Sequence, residues 1–83
     1  MKVTLKLYAD LADYLPPGSR DNRVDIDVAE DESVAAILNQ HRLPPRLTHL
    51  VLINGLFVPP EARPARTLQA GDHLAVWPPI AGG

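Results

Sequence analysis

The chain has 83 residues, of which 46% are hydrophobic and 22% charged, and its formal net charge is −2. This composition predicts one folded domain with a modest core, because a short chain buries a smaller share of its surface than a long one. No apolar run is long enough to span a membrane, and Met1 leads into a strand pattern without a signal peptide, so we expect a cytoplasmic protein. The eight basic residues are scattered, which argues against nucleic acid as a partner.

The sequence contains no cysteine, which excludes disulfides, thiolate zinc sites, iron–sulfur clusters and a cysteine nucleophile. The three histidines, His41, His49 and His73, are far apart and lack carboxylates at metal-ligand spacing, so we expect no metal site. The acidic run between residues 25 and 32 is typical of a solvated strand edge followed by a helix start. The chain also lacks a phosphate-binding loop and a nucleophile–base pair, so we expect neither a bound cofactor nor enzymatic activity.

The first third of the chain predicts two strands. Apolar and polar residues alternate over residues 3–7 and again over residues 24–28, which is the pattern of half-buried strands. Residues 9–15 fit a short helical turn that Pro16 and Pro17 end. We expect the two strands to pair in antiparallel fashion across the intervening loop.

A single amphipathic helix follows. Ser33 is a candidate N-cap, and Asp31 and Glu32 place negative charge at the positive end of the helix dipole. Apolar or half-apolar side chains recur with helical spacing at Val34, Ile37, Leu38 and His41. The pattern predicts about three turns, with Arg42 near the end and Pro44 terminating the helix.

The second half of the chain predicts three more strands. Residues 50–53 are apolar throughout, Asn54-Gly55 is a strong hairpin signal, and residues 56–58 return as a short strand. Residues 73–77 form the last strand, with Leu74 and Val76 directed to one side. The order of elements predicts an α+β fold in which a mixed sheet of four to five strands packs on one main helix.

The chain ends with Gly82-Gly83, preceded by Pro78-Pro79. Two glycines without side chains make the thinnest possible peptide, which can enter a narrow channel in another protein. Fully extended, residues 78–83 reach about 20 Å. We therefore divide the chain into a folded body, residues 1–77, and a flexible C-terminal tail, residues 78–83. A terminal carboxylate is ionised and unreactive at neutral pH, so chemistry at Gly83 requires activation by an ATP-using partner.

The closing pattern combines a turn, a strand, an aromatic-Pro-Pro sequence and a terminal glycine pair. Its residues are Leu68, Gly71, Asp72, Leu74, Val76, Trp77, Pro78, Pro79, Gly82 and Gly83. With this pattern, and with the Ser33 helix start and the Asn54 turn, the chain resembles the MoaD/ThiS sulfur-carrier proteins over essentially its whole length. The resemblance implies the β-grasp, or ubiquitin-like, fold.

The resemblance also implies a chemistry. An E1-like enzyme would adenylate Gly83, and a sulfur donor such as a cysteine desulfurase or rhodanese would convert it to a thiocarboxylate. Gly82, Ala81 and Ile80 would be the tail residues that enter the partner, which uses ATP while this chain binds no cofactor. A larger catalytic synthase subunit would be a further partner, and the chain itself would be a carrier and not an enzyme.

The biosynthetic branch stays open. The long stretch between the first two strands is similar to the small subunit of molybdopterin synthase, which favours that pathway over thiamine. Residues 8–17, however, look closer to the ubiquitin-like domains attached to Mut7-C nuclease-like proteins. Two other functions use the same features: a protein modifier conjugated through Gly83, and a non-catalytic β-grasp interaction subunit with an inert tail.

One helix covers only one face of a sheet, so the other face is a candidate partner surface. Its predicted residues are Trp77, Ala75 and His73 of the last strand, Tyr8 beside them, and Leu50 and Leu52 of the third strand. Tryptophan and tyrosine are frequent in binding hot spots, so we expect this face to bind the activating enzyme. The alternative is that Trp77 packs under a loop as part of the core.

Overall fold

The structure is a computed structural model that describes residues 1–79 of the chain. Its main elements are β1 (Lys2–Leu7), β2 (Arg23–Asp27), α1 (Val34–Gln40), β3 (Leu50–Ile53), β4 (Leu56–Phe57) and β5 (His73–Trp77). Three short 3-10 helices connect them, at Ala9–Tyr14, Pro45–Leu47 and Pro60–Ala62. The predicted order of elements is confirmed, including the helical turn after β1.

The five strands form one mixed sheet in the spatial order β2-β1-β5-β3-β4. The central pair, β1 and β5, is parallel, with Leu5 opposite Leu74, and the other pairs are antiparallel. The first and last strands of the chain therefore lie side by side in the middle of the sheet. This arrangement places the end of β5, where the predicted tail would begin, next to the end of β1.

The core lies between the sheet and α1. Every second residue of the central strands points into it, and each is almost fully buried: Val3, Leu5, Leu7, Val51, Ile53, Leu74 and Val76. Val34, Ile37 and Leu38 of α1 face them, as the helical spacing predicts. Val24 and Ile26 pack against the core but are only half-buried, because β2 lies at the edge of the sheet.

The helix begins as predicted but is shorter than predicted. The Ser33 side chain accepts a hydrogen bond from the Ala36 amide at 3.1 Å, which is an N-cap interaction. The prediction of about three turns ending at Pro44 is wrong, because α1 ends at Gln40. Arg42 adopts the left-handed conformation (φ 60°), and the Leu43 amide bonds to the Leu38 carbonyl at 3.2 Å. This Schellman-type cap turns the chain away before the proline pair.

The β3–β4 hairpin has the predicted turn. Asn54 and Gly55 both have positive φ, 51° and 83°, which defines the twisted two-residue loop that fits antiparallel strands. The Asn54 side chain also accepts a hydrogen bond from the His73 amide at 2.9 Å and thereby joins the hairpin to β5. Strand β4 ends at Phe57, one residue before the predicted end, and Val58 turns into the core.

Candidate functional site

The face of the sheet that points away from α1 is divided into two halves of different chemistry. Strands β5, β3 and β4, with the residue after β1, contribute the apolar patch: Tyr8, Leu50, Leu52, Phe57, Ala75 and Trp77. Strands β1 and β2 contribute the charged patch: Lys2, Thr4, Lys6, Arg23, Asp25 and Asp27. The residues predicted to bind a partner therefore lie on one continuous face, in the half of the sheet that the apolar patch occupies.

A stacked aromatic pair is the main feature of the apolar patch. The rings of Tyr8 and Trp77 lie 4.3 Å apart between centroids and are inclined by only 3°. The Tyr8 amide donates to the Val76 carbonyl at 3.1 Å, which holds the residue against β5. Both aromatic residues are half-buried. Trp77 is therefore part of the outer face and is not packed under a loop in the core.

Beside this pair lies a shallow hollow of about 430 Å³. Five of the six predicted partner residues line it, namely Tyr8, Leu52, His73, Ala75 and Trp77, together with Lys6, Asn54 and Gly55. The small Ala75 side chain is 8% exposed because its larger neighbours rise around it. Leu50 lies outside the hollow but on the same face, opposite Trp77 in the strand register.

Phe57 belongs to this surface and is absent from the sequence prediction. It pairs with Leu52, so the two side chains share the outer face, and it is 56% exposed. The signal was present in the sequence. A two-residue loop at Asn54-Gly55 places Leu56 opposite Ile53 and Phe57 opposite Leu52, so the register alone identifies Phe57 as an outer-face residue.

Two pairs of polar side chains bind each other across the charged patch. Lys2 Nζ forms an ion pair with Asp27 Oδ2 at 2.9 Å, and its hydrogen bond and charge lower the pKa of Asp27 below the ordinary value. The Thr4 hydroxyl donates to Asp25 Oδ1 at 2.9 Å. Among residues 1–79 there is no group of three acidic or histidine side chains that could hold a metal ion. This half of the face therefore has the character of a solvated surface.

The chain leaves the sheet directly at the stacked pair. The Trp77 carbonyl accepts a hydrogen bond from the His49 amide at 3.0 Å, which fixes the last strand residue. Pro78 and Pro79 follow and have no amide proton to continue the ladder. The predicted tail residues Ile80, Ala81, Gly82 and Gly83 lie outside the described residues. The apolar patch thus adjoins the point at which the chain leaves the sheet.

A mixed five-stranded sheet with a parallel central pair and one main helix is the β-grasp, or ubiquitin-like, fold. The model of the ThiS family matches residues 6–83, and the chain belongs to this family. Among solved structures, the crystal structure of SAMP1 from Haloferax volcanii is 31% identical over 100% of both chains, with a TM-score of 0.68.

Two further solved structures share the fold. The Haloferax volcanii HVO 2177 protein is 27% identical over 100% of this chain and 87% of that one, with a TM-score of 0.74. A putative molybdopterin converting factor, subunit 1, from Pyrococcus furiosus is 21% identical over 95% and 98% of the two chains, with a TM-score of 0.60. No curated protein sequence matches the chain significantly.

Membership of this family defines the chain as a small ubiquitin-fold carrier or modifier protein and not as a catalytic enzyme. Within residues 1–79, no helix is both long and apolar enough to cross a membrane.

Proposed function

We propose that this chain is a cytoplasmic sulfur carrier whose Gly83 carboxylate is adenylated by an E1-like enzyme and then converted to a thiocarboxylate. The supporting observation is the apolar patch that ends where the tail begins, in a chain of the ThiS family. In the first step the carboxylate attacks the α-phosphate of ATP and releases pyrophosphate. In the second, the terminal sulfur of a persulfide on a donor such as a cysteine desulfurase or rhodanese displaces AMP and forms an acyl disulfide. A thiol then attacks the donor's sulfur in this disulfide, which releases the thiocarboxylate and leaves a disulfide between the thiol and the donor.

The two parts of the protein have separate tasks in this scheme. The terminal carboxylate is ionised at neutral pH and needs activation before a nucleophile can attack it. The apolar patch supplies the affinity that brings the tail to the enzyme, because the half-buried Tyr8–Trp77 pair and the exposed Phe57 gain most from removal of water. The absence of cysteine agrees with a sulfur atom carried on the terminal carbonyl carbon.

Intact mass spectrometry tests this proposal. After incubation with the cognate E1-like enzyme, ATP and a sulfide source, the chain should gain the mass of one oxygen-to-sulfur exchange. The gain should be absent without ATP and absent in a chain that lacks Gly82 and Gly83. An unchanged mass under conditions in which the enzyme activates another carrier would contradict the proposal.

A protein modifier is the second candidate function, favoured by the 31% identity to SAMP1 and by the similarity to the crystal structure of H. volcanii small archaeal modifier protein 1. In this function a lysine amine attacks the same Gly83 adenylate and forms an isopeptide bond. Immunoblots of reduced cell extracts distinguish the two. A ladder of conjugates that requires Gly83 identifies a modifier, and its absence together with thiocarboxylate formation identifies a carrier.

For the acceptor pathway we favour a molybdopterin-type synthase with a larger catalytic subunit, because of the long segment between β1 and β2. Complementation of strains deficient in molybdopterin or thiamine synthesis separates the two branches. If biological activity survives deletion of Gly82 and Gly83, the chain is instead a non-catalytic interaction subunit.

A further inference from the structure

A second cavity lies on the helix side of the molecule, away from the apolar patch. Its volume is about 390 Å³, within the range of small-molecule sites. Leu38 and Leu43 form apolar parts of its wall, and Arg46, His49 and Arg63 add basic side chains. No aspartate or glutamate among residues 1–79 lines it. The cavity therefore combines apolar walls with the positive charge of its two arginines.

Arg63 is the unusual residue of this cavity because it is only 7% exposed. Its guanidinium donates to three backbone carbonyls, those of Val58 at 3.2 Å, Thr48 at 2.8 Å and His49 at 3.3 Å. A guanidinium has five N–H groups, so these bonds leave two donors for another acceptor. Within residues 1–79 the only ion pair is that between Lys2 and Asp27, so no carboxylate described here pairs with Arg63.

This arrangement leaves a buried positive charge that carbonyl dipoles solvate and that forms no ion pair with a described carboxylate. Burial lowers the pKa of Arg63, and the charge of Glu61 offsets this only in part. A buried cation is unfavourable unless its hydrogen bonds and a counter-charge compensate for the lost water. An anion in the cavity would supply that counter-charge and would accept the remaining N–H groups in strong, charge-assisted bonds.

We propose that this cavity binds a small monocarboxylate with an apolar body, the carboxylate facing Arg63 and Arg46 and the hydrocarbon part contacting Leu38 and Leu43. Charge complementarity selects the carboxylate, and the leucine walls favour an arylalkyl or branched acid over a fully hydrated anion such as phosphate. This site is separate from the apolar patch and does not depend on the proposed carrier function.

The walls of the cavity are held together by backbone bonds, so the site is formed before a ligand arrives. The Ala35 amide donates to the Arg63 carbonyl at 3.0 Å, and the Val34 amide donates to the Arg66 carbonyl at 2.7 Å. These bonds fasten the arginine-containing loop to the first turn of α1. A preformed site loses little conformational entropy on binding, which makes weak ligands measurable.

Nuclear magnetic resonance titration of the full chain tests the proposal with 3-phenylpropanoate as the probe. We expect saturable shifts of the amides of Ala35, Leu38, Thr48 and His49. The neutral analogue 3-phenylpropanamide, which has the same apolar body, should bind about tenfold more weakly or worse, since it lacks the charge. Inorganic phosphate, which has the charge without the apolar body, should also bind more weakly. Equal binding of the acid and the amide, or shifts centred on the apolar patch, would overturn the proposal.

Variants provide a second readout that does not depend on removing Arg63, whose loss can unfold the chain. Ala35→Leu inserts a larger side chain into the cavity at a helical position and should abolish binding. Arg46→Gln should weaken the binding of 3-phenylpropanoate and leave the binding of 3-phenylpropanamide unchanged. Phe57→Ala, on the opposite side of the molecule, is the matched control and should bind as the wild type does. Wild-type affinity in a folded Ala35→Leu chain would contradict the assignment.

Discussion

The two halves of the outer sheet face share the same strand alternation, but one half presents paired polar side chains to water and the other presents apolar side chains. In the charged patch, Lys2 pairs with Asp27 and Thr4 donates to Asp25, so four of its six side chains bind one another across the two strands. In the apolar patch, Phe57 stays 56% exposed, and within residues 1–79 no second α-helix covers the sheet. The charged patch is complete as a solvated surface, whereas the apolar patch gains stability only when another molecule covers it.

Among substitutions that test this difference, Trp77→Ala should have the largest effect on affinity for the E1-like enzyme. Trp77→Ala removes the ring that stacks on Tyr8 and should weaken binding to the E1-like enzyme by about 2–4 kcal/mol, the range of a central hot spot. Isothermal titration calorimetry measures the change. Thr4→Ala, on the charged patch, is the control and should bind nearly as wild type. Equal losses of affinity in the two variants would contradict the assignment of the apolar patch, and not the charged patch, as the binding surface.

A matched pair on β4 gives the sharpest test of sidedness. Phe57→Ala should weaken the same complex by about 1–2 kcal/mol, because the ring is buried only on binding. Leu56→Ala should leave affinity unchanged, although Leu56 is even more exposed at 68%, because it points to the other side of the strand. Thermal unfolding should show little change for either variant. A larger loss of affinity for Leu56→Ala than for Phe57→Ala would indicate that the partner binds the other side of β4 and not the apolar patch.

Stability and affinity can be separated at the helix cap. Ser33→Ala removes the bond to the Ala36 amide and should lower the free energy of unfolding by about 1 kcal/mol. Urea denaturation measures this loss. Affinity for the enzyme should stay at the wild-type value in the folded chain, since α1 lies on the far side of the sheet. A parallel fall in affinity would indicate that binding merely follows overall stability.

The smallest effect is expected at the Lys2–Asp27 pair. Lys2→Ala should raise the pKa of Asp27 toward its ordinary value, which carboxyl chemical shifts measure directly. The pKa of Asp27 is lowered on folding, so the pair contributes above the unfolded-state pKa and its contribution disappears as the pH falls through the folded-state value. Both groups are exposed, so the melting temperature at neutral pH should not change measurably. A marked fall in the melting temperature of Lys2→Ala would show that the ion pair stabilises the fold.

Strand alternation was sufficient to place Trp77, Ala75 and His73 on one face and to bring Tyr8 and Leu52 beside them. The hairpin was equally predictable from the sequence, because Asn54-Gly55 strongly favours a two-residue hairpin loop. These features depend on neighbours in sequence. The outer-face position of Phe57 follows from the same hairpin, but only when its register is counted residue by residue.

Two other features depend on contacts that are distant in sequence. An arginine in a proline-rich loop is expected at the surface, and Arg63 is buried only because the carbonyls of Thr48 and His49 converge on it. The early end of α1 requires Arg42 in a left-handed conformation, which glycine adopts far more readily than arginine. Neither outcome has a local sequence signal.

The most direct measurement of the central claim is a residue-by-residue map of the complex with the E1-like enzyme by nuclear magnetic resonance. Line broadening should concentrate on β3, β4 and β5, at Leu52, Phe57, Ala75 and Trp77, while Lys2 and Asp27 retain their free-state signals. Broadening centred on β2 or on the outward side of α1, with Trp77 and Phe57 unaffected, would contradict the assignment of the apolar patch as the surface that presents the tail for activation.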